Sequence, residues 1–146
     1  MSNQPYHATT WPAIAEFAAA GNLDRVDLND DFTTINISIV YIGINEGITR
    51  EMTIQLTCSD YCYFDIKRRD DHEPEAGIIL DAYIHDLSPL ISLLHAHKLE
   101  SSTGPLMHEV DASTPIKHLE INGEVSVNIL FTEIKVMATE MLIHRN

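Results

Sequence analysis

The chain has 146 residues, 45% of them hydrophobic, which is enough to bury a core and is typical of a folded protein rather than a disordered one. Its 9 lysines and arginines against 22 aspartates and glutamates give a formal net charge of -13 at pH 7, which opposes binding to nucleic acid and to anionic membranes. No apolar run approaches the roughly 20 residues that cross a bilayer, and the N-terminal residues lack a secretory signal. We therefore expect a single domain, residues 1–146, in the cytoplasm.

The first predicted element is a short helix that begins after Thr10. Thr10 is suited to cap the helix N-terminus, Pro12 is tolerated in the first turn, and Gly21 is placed to end the helix. The apolar side chains recur at helical spacing, close to one face: Trp11, Ile14 and Phe17. The sequence DRVDLNDD, residues 24–31, is then predicted to be an acidic connector.

Residues 33–67 are predicted to form three antiparallel strands in a meander. In residues 33–44 apolar side chains recur at every second position, which is the period of a strand, and the pattern resumes in residues 48–58 after the turn sequence NEG. The two runs therefore predict a hairpin. The sequence YCYFDIK, residues 61–67, is predicted to be the third strand, with Cys62, Phe64 and Ile66 on one side and Tyr61, Tyr63 and Asp65 on the other.

A polar stretch separates this meander from the next strand. Residues 68–77 carry both charge signs together with Pro74 and Gly77, which predicts an exposed loop. Residues 78–84, IILDAYI, return to a composition typical of strands and are predicted to be the fourth strand.

A second helix and a second hairpin follow. The pair Ser88-Pro89 is a helix start signal, since serine caps the N-terminus and proline fits the first turn, and the helix is predicted to run to about Lys98. Residues 116–131 are predicted to be a hairpin in which Asn122-Gly123 supplies the positive φ angles of a two-residue turn.

The C-terminal segment, residues 132–145, fits a helix better than a strand. A strand here would be unusually long and would place Glu140 on its apolar face, whereas Thr132 is suited to cap a helix. The apolar residues follow the helical template: Ile134, Met137, Ala138, Met141 and Leu142. Together the elements predict an α+β fold, mainly an antiparallel sheet of five to six strands with two to three helices packed on one face.

The pair His95 and His97 is the sequence feature most suggestive of metal chemistry. On a strand both imidazoles would point to the same side and reach one ion. In the predicted helix they project about 200° apart, so we expect no metal site, with His97 nearer the buried side. His85 beside Asp86 is a candidate for an imidazole oriented by a carboxylate.

Other catalytic signatures are missing from the sequence. There is no G-x-S-x-G motif, no phosphate-binding glycine loop and no EF-hand spacing. Cys58 and Cys62 are expected to be reduced thiols, because a lone pair of cysteines without a secretory signal rarely forms a disulfide. We predict no catalytic residue, no cofactor and no enzymatic activity.

The remaining candidate site is an acidic surface lined by tyrosines. Tyrosine beside carboxylate suits capture of a basic protein, since the ring supplies contact area and the charge supplies orientation. The candidate residues are Asp24, Asp27, Asp30, Asp31, Tyr61, Tyr63, Asp70, Asp71, Glu73 and Glu75.

In size, acidity and lack of catalytic motifs the chain resembles bacterial toxin-immunity proteins, a resemblance of class that no motif carries. It implies an inhibitor that neutralises a basic toxin domain, such as a nuclease. Two alternatives stay open. One is a small ligand-binding domain or enzyme whose histidines and acids converge only in three dimensions. The other is an oligomeric adaptor, such as a homodimer, that buries Val40 and Ile42 in a self-interface.

Overall fold

Strands dominate the computed structural model, which describes residues 6–29, 33–68, 77–96, 98–99, 113 and 115–144. Within these residues there are two helices, α1 Trp11–Ala19 and α2 Pro89–His95. The strands are β1 His7–Thr9, β2 Asn22–Leu28, β3 Thr34–Asn45, β4 Ile48–Ser59, β5 Tyr63–Arg68, β6 Gly77–His85, β7 Lys117–Gly123, β8 Val125–Phe131 and β9 Glu133–His144. Neither helix is long and apolar enough to cross a membrane.

The nine described strands form one antiparallel sheet. Their order is β1-β9-β4-β3-β2-β6-β7-β8-β5, and each neighbouring pair is antiparallel. The predicted α+β class with a mainly antiparallel sheet is therefore confirmed. The predicted number of five to six strands is too small, because β1, β2 and β9 were not predicted to be strands.

The C-terminal segment is strand β9, so the predicted helix is wrong. β9 pairs with β4 along its whole length, from Ser59 opposite Glu133 to Ile48 opposite His144. Glu140, whose charge argued against a strand, forms an ion pair with Arg50 of β4 at 2.8 Å. Backbone pairing with a neighbouring strand thus outweighs a helical pattern that local sequence alone favours.

The predicted acidic connector is also wrong over most of its length, since it lies in β2. Leu23 and Val26 are buried there, while Asp24 and Asp27 are exposed. An irregularity in the pairing with β3 between Leu23 and Arg25 breaks the two-residue period, so the alternation that marks a strand was not visible in the sequence. Asp30 and Asp31 lie outside the described residues.

The third predicted strand exists but does not extend the meander. β5 pairs with β8, from Tyr63 opposite Leu130 to Arg68 opposite Val125. The chain leaves β4 through Asp60, which has φ of 51°, and the Cys62 amide donates to the Leu130 carbonyl at 2.8 Å. The turn before β5 therefore carries the chain from the middle of the sheet to its far edge.

The first hairpin is confirmed and the second is confirmed with a different turn. Glu46 and Gly47 have φ of 50° and 78°, the positive values that a tight hairpin turn needs. In the second hairpin the last pair is Ile121 opposite Val127, so Asn122-Gly123 does not form a two-residue turn. A Cβ on Gly123 would lie 2.1 Å from the Ile78 carbonyl oxygen, which shows that glycine is required for close approach of β6.

The sheet curls around one cluster of buried side chains. The cluster contains side chains from both halves of the sheet. β4 and β9 lie in one half of the strand order, and β7 and β8 lie in the other half. The side of the sheet facing this cluster is the inner side. Its fully buried members include Ile37, Ile54, Leu56, Ile121, Ile129 and Phe131.

The prediction that the helices pack on one face of the sheet is wrong, because α1 and α2 lie on opposite sides. α1 contributes Ile14 and Ala18 to the inner cluster. α2 contributes Ile91 and Leu94 to a second cluster that contains Leu130, whose neighbours along β8 belong to the inner cluster. Because alternate residues of a strand point to opposite sides, α2 covers part of the outer side. The rest of the outer side of the sheet is available for other roles.

Candidate functional site

The structure places only part of the predicted acidic surface. Asp24 and Asp27 lie on β2, exposed on the outer side, and the side chain of Asp27 forms an ion pair with Arg25 at 2.9 Å. The other predicted carboxylates lie outside the described residues: Asp30, Asp31, Asp70, Asp71, Glu73 and Glu75. Four residues of the predicted acidic surface therefore lie within the described part of the chain: Asp24, Asp27, Tyr61 and Tyr63.

The two tyrosines do not join the carboxylates of β2. Tyr61 is only 3% exposed and packs edge-to-face on Phe64 with ring centroids 5.7 Å apart. Burial raises its pKa. Tyr63 is half-buried against the second cluster, beneath α2. Both rings belong to the β5 end of the sheet, where three strands, β6, β7 and β8, separate β5 from β2, so they serve packing there.

A groove runs over the outer side of β2, β3 and β4. It has a volume of about 600 Å³ and includes Asp24 and Asp27 of the predicted surface. Most of its other side chains are neutral hydrogen-bonding groups, with Tyr6 at the margin: Asn36, Ser38, Thr53 and Gln55. Val40 also lines the groove. Arg25 lines the groove as well and pairs with Asp27, so the groove is a polar depression with two carboxylates and one guanidinium on one side.

An exposed apolar surface continues from this groove. The exposed fractions of Ile42, Ile44 and Ile143 are 56%, 66% and 41%. Strand register places Ile44 in one row with Thr49 and Ile143, and Ile42 in the next row with Glu51 and Met141. Since Ile42 follows Val40 by two residues on β3, groove and apolar surface lie on the same side. We call residues 42–51 and 141–144 the tip.

Glu51 is the charged residue within the apolar surface of the tip. It is half-buried, and the register places it between Ile42 and Met141. None of the ion pairs among the described residues involves it. A carboxylate flanked by apolar side chains and lacking a cation of its own is suited to receive one from another molecule.

The inner side of the tip is held to helix α1. The Arg50 guanidinium lies over the Phe17 ring at 4.6 Å, and its Nη2 donates to Glu140 Oε2 at 2.8 Å. The hydrogen bond to Glu140 raises the pKa of Arg50. Phe17 also packs edge-to-face on Tyr41, with ring centroids 5.2 Å apart. These contacts join the inner side of the tip to α1, opposite the exposed isoleucines of the outer side.

The histidine hypotheses have mixed outcomes. His95 is the last residue of α2, and His97 lies outside the described residues. The His85 Nε2 lies 2.8 Å from Glu120 Oε1, whereas Asp86 pairs with Lys117 at 2.6 Å. The carboxylate that orients His85 is therefore Glu120, on the neighbouring strand β7, and the predicted pairing with Asp86 is wrong.

Metal and thiol chemistry find no support among the described residues. They contain no group of three or more His, Cys, Asp or Glu side chains that could hold a metal ion. Cys58 and Cys62 are both free and buried. Burial raises the pKa of Cys58 well above its ordinary value and that of Cys62 to about 11, so both thiols stay protonated and unreactive at neutral pH.

Sequence reasoning missed the tip as a unit. The run IVYIGI of β3 is apolar on both faces, and this excess was the available signal for an exposed apolar surface. The sequence gives no sign that Met141 and Ile143 of β9 join this surface, because only the pairing of β9 with β4 places them there.

No protein-family model matches the chain, and comparisons with curated proteins and with solved structures likewise find no similar protein.

Proposed function

We propose that the protein is an inhibitor of the immunity type, which binds a basic protein partner such as a toxin domain through the tip and the adjoining groove. The observation that carries this proposal is the exposed apolar surface of Ile42, Ile44 and Ile143 around Glu51, which forms no ion pair with another described side chain. The proposal keeps the function expected from the sequence but moves its site away from the tyrosines.

The composition of this surface supports binding to a protein. Contiguous apolar patches are uncommon on monomeric proteins and frequently mark interaction sites. Protein interfaces combine an apolar centre with a polar rim. Here the isoleucines of the tip would form the centre, and Asp24, Asp27 and the amides of the groove would form the rim.

Charge supports a basic partner over a second copy of the chain. A formal net charge of -13 repels an identical molecule and attracts a basic one at low salt. Glu51 adds a local preference, because a lysine or arginine of the partner would neutralise a carboxylate that no described side chain pairs with. Such a contact also fixes the orientation of the partner.

The proposed surface is suited to binding rather than to catalysis. Its described polar groups are carboxylates, amides, hydroxyls and the guanidinium of Arg25, which pairs with Asp27, and neither an imidazole nor a thiol lines the groove. Hydrogen bonds from Asn36 and Gln55 would add specificity for the backbone or side chains of the partner.

Site-specific photo-crosslinking in cells of the source organism tests the proposal. A photoreactive amino acid at Ile42 should capture a basic protein, and the same residue at Leu87, which is 86% exposed but lies outside the tip, should not. The substitution Glu51→Arg should abolish capture. Glu133→Arg, the same charge change at an exposed site outside the tip, should leave it nearly unchanged. Equal capture from Ile42 and Leu87 would contradict the proposal.

A self-interface is the second candidate, because the same isoleucines would also be covered in a homodimer. Light scattering of the purified chain separates the two. A monomer at micromolar concentration is expected if the tip serves a basic partner. If the chain is a dimer and Ile42→Asp dissociates it, the tips of two copies cover each other in a self-interface.

A further inference from the structure

Three side chains on the outer side form a line of hydrogen bonds beneath helix α2. Ser88 Oγ lies 2.9 Å from His118 Nδ1, and His118 Nε2 lies 2.8 Å from Asn128 Oδ1. Ser88 stands in the short connection between β6 and α2, His118 lies on β7 and Asn128 on β8. Ser88 is thus distant in the sequence from the other two, whereas His118 and Asn128 lie on the paired strands of the β7–β8 hairpin.

The hydrogen-bonding capacity of the three groups fixes the positions of the protons. An amide oxygen only accepts, so the bond to Asn128 Oδ1 places the imidazole proton on His118 Nε2. His118 Nδ1 is then an acceptor. The Ser88 oxygen already accepts from the Ile91 amide at 3.2 Å, and its hydroxyl proton points to His118 Nδ1. Ser88 therefore donates a hydrogen bond to the neutral imidazole of His118, and Asn128 Oδ1 orients this imidazole by accepting from its other nitrogen.

This is the arrangement by which a histidine activates a hydroxyl group. A serine is a weak nucleophile until a base takes its proton, and the base must be held in the correct tautomer by a third group. His118 is only 4% exposed, and this burial lowers its pKa, so the imidazole is neutral at pH 7. The ionisable side chains nearest to it are His85, with ring centroids 5.3 Å apart, and Glu120, which bonds His85.

The serine lies nearer the surface than its base. Ser88 is partly exposed, and the preceding residue, Leu87, is 86% exposed. Ser88 is therefore in contact with solvent at the start of α2. A small acyl group attached through an ester can approach from that side while His118 remains covered.

We propose that Ser88 is a nucleophile that accepts an acyl group from small activated esters, with His118 as its base and Asn128 as the residue that positions the base. Ser88 Oγ forms a bond to the carbonyl carbon of the ester while its proton passes to His118 Nδ1. The bond between that carbon and the ester oxygen then breaks, and the alcohol leaves with the proton from His118. The acyl group remains on Ser88, and His118 is neutral again.

This reactivity is separate from the proposed docking surface. The tip is built from β3, β4 and β9, whereas the three side chains lie on β7, β8 and the connection after β6. Failure of either proposal leaves the other standing, because no residue is shared.

Labelling with a fluorophosphonate probe, followed by mass spectrometry of the peptides, tests the proposal. We expect a covalent adduct on Ser88 and none on Ser92, an exposed serine one turn further along α2 that serves as an internal control. Ser88→Ala should abolish the adduct. His118→Gln should slow labelling by about a hundredfold or more, the usual contribution of a general base.

A second pair of variants separates positioning from folding. Asn128→Asp keeps an oxygen acceptor for His118 Nε2 and should retain labelling, whereas Asn128→Leu removes the acceptor and should slow it about tenfold or more. In the unchanged chain the labelling rate should fall as the pH drops through the pKa of His118, below 6.5. The absence of an adduct on Ser88 would show that Ser88 and His118 only anchor α2, and equal rates for Asn128→Asp and Asn128→Leu would show that Asn128 does not position the base.

Discussion

Two regions of the outer surface of the sheet differ in how their side chains are satisfied. At the tip, on β3, β4 and β9, isoleucines remain exposed around Glu51, which has no cation among the described residues. On β6, β7 and β8 polar side chains bond to one another, beside the exposed Ile78, Leu80 and Tyr83 of β6. The polar pairs are His85 with Glu120, His118 with Asn128, and Asn122 with Asp81 and Glu120.

The difference separates groups that stabilise the monomer from groups that do not. Polar side chains that saturate one another hold neighbouring strands together, and removing one leaves its partners unsatisfied. Exposed isoleucines contribute little to folding, because they are not removed from water. Substitutions of the polar side chains on β6, β7 and β8 should therefore lower the free energy of unfolding. Substitutions of the exposed isoleucines of the tip should affect only binding.

The largest expected effect is at the seam between β6 and β7. In Gly123→Ala the new Cβ would lie 2.1 Å from the Ile78 carbonyl oxygen, so backbone must move and the free energy of unfolding should fall by about 3 kcal/mol. The matched control is Gly43→Ala on β3, where the nearest atom is the movable Tyr41 hydroxyl at 2.5 Å. Urea denaturation should show a clearly smaller loss there. Equal losses would mean that a clash with the β6 backbone is no costlier than a clash with a side-chain hydroxyl.

The next effect concerns His118. His118→Ala removes the partner of both Ser88 and Asn128 inside a nearly closed environment and should lower the free energy of unfolding by about 2 kcal/mol. His7→Ala on β1, where the histidine is exposed, should cost less than about 0.5 kcal/mol. Thermal or urea denaturation of the two variants provides the measurement. A neutral His118→Ala would show that this hydrogen-bonded line does not stabilise the sheet.

The sequence predicted what depends on local pattern and missed what depends on tertiary pairing. The β3–β4 hairpin, β6 and the Ser88 cap of α2 follow from alternation and start signals, and Ser88 does accept from the Ile91 amide. β9 carries a helical pattern, and its pairing with β4 overrides that pattern. The group of Ser88, His118 and Asn128 had no signal, because only tertiary packing brings Ser88 to the β7–β8 hairpin that carries the other two.

The stability of the face on β6, β7 and β8 should also depend on pH. Burial lowers the pKa of His118 below its ordinary value of 6.5, so in acid the unfolded chain takes up a proton before the folded chain does. Stability should therefore fall as the pH drops below about 6.5, until His118 itself is protonated. The hydrogen bond with His85 lowers the pKa of Glu120 below 4.5, so a second loss follows at lower pH for the same reason.

Urea midpoints between pH 8 and 4 measure these losses. His118→Gln should remove the loss that begins near pH 6.5, and Glu120→Gln should reduce the loss that begins near pH 4.5. Glu51→Gln at the tip is the control and should retain both. A wild-type slope that persists unchanged in His118→Gln would place the titrating group elsewhere.

The smallest change in stability is expected at the tip, and it is the most informative for function. Ile42→Thr and Ile44→Thr keep a β-branched side chain on β3 and remove apolar area that is already exposed, so the free energy of unfolding should change by less than about 0.5 kcal/mol. The same double variant should lose capture of the basic partner in the photo-crosslinking experiment, with the photoreactive residue moved to Ile143. A loss of stability above about 1 kcal/mol would mean that these isoleucines pack within the monomer. Stability can stay constant while binding is lost only if the isoleucines are kept exposed for another molecule.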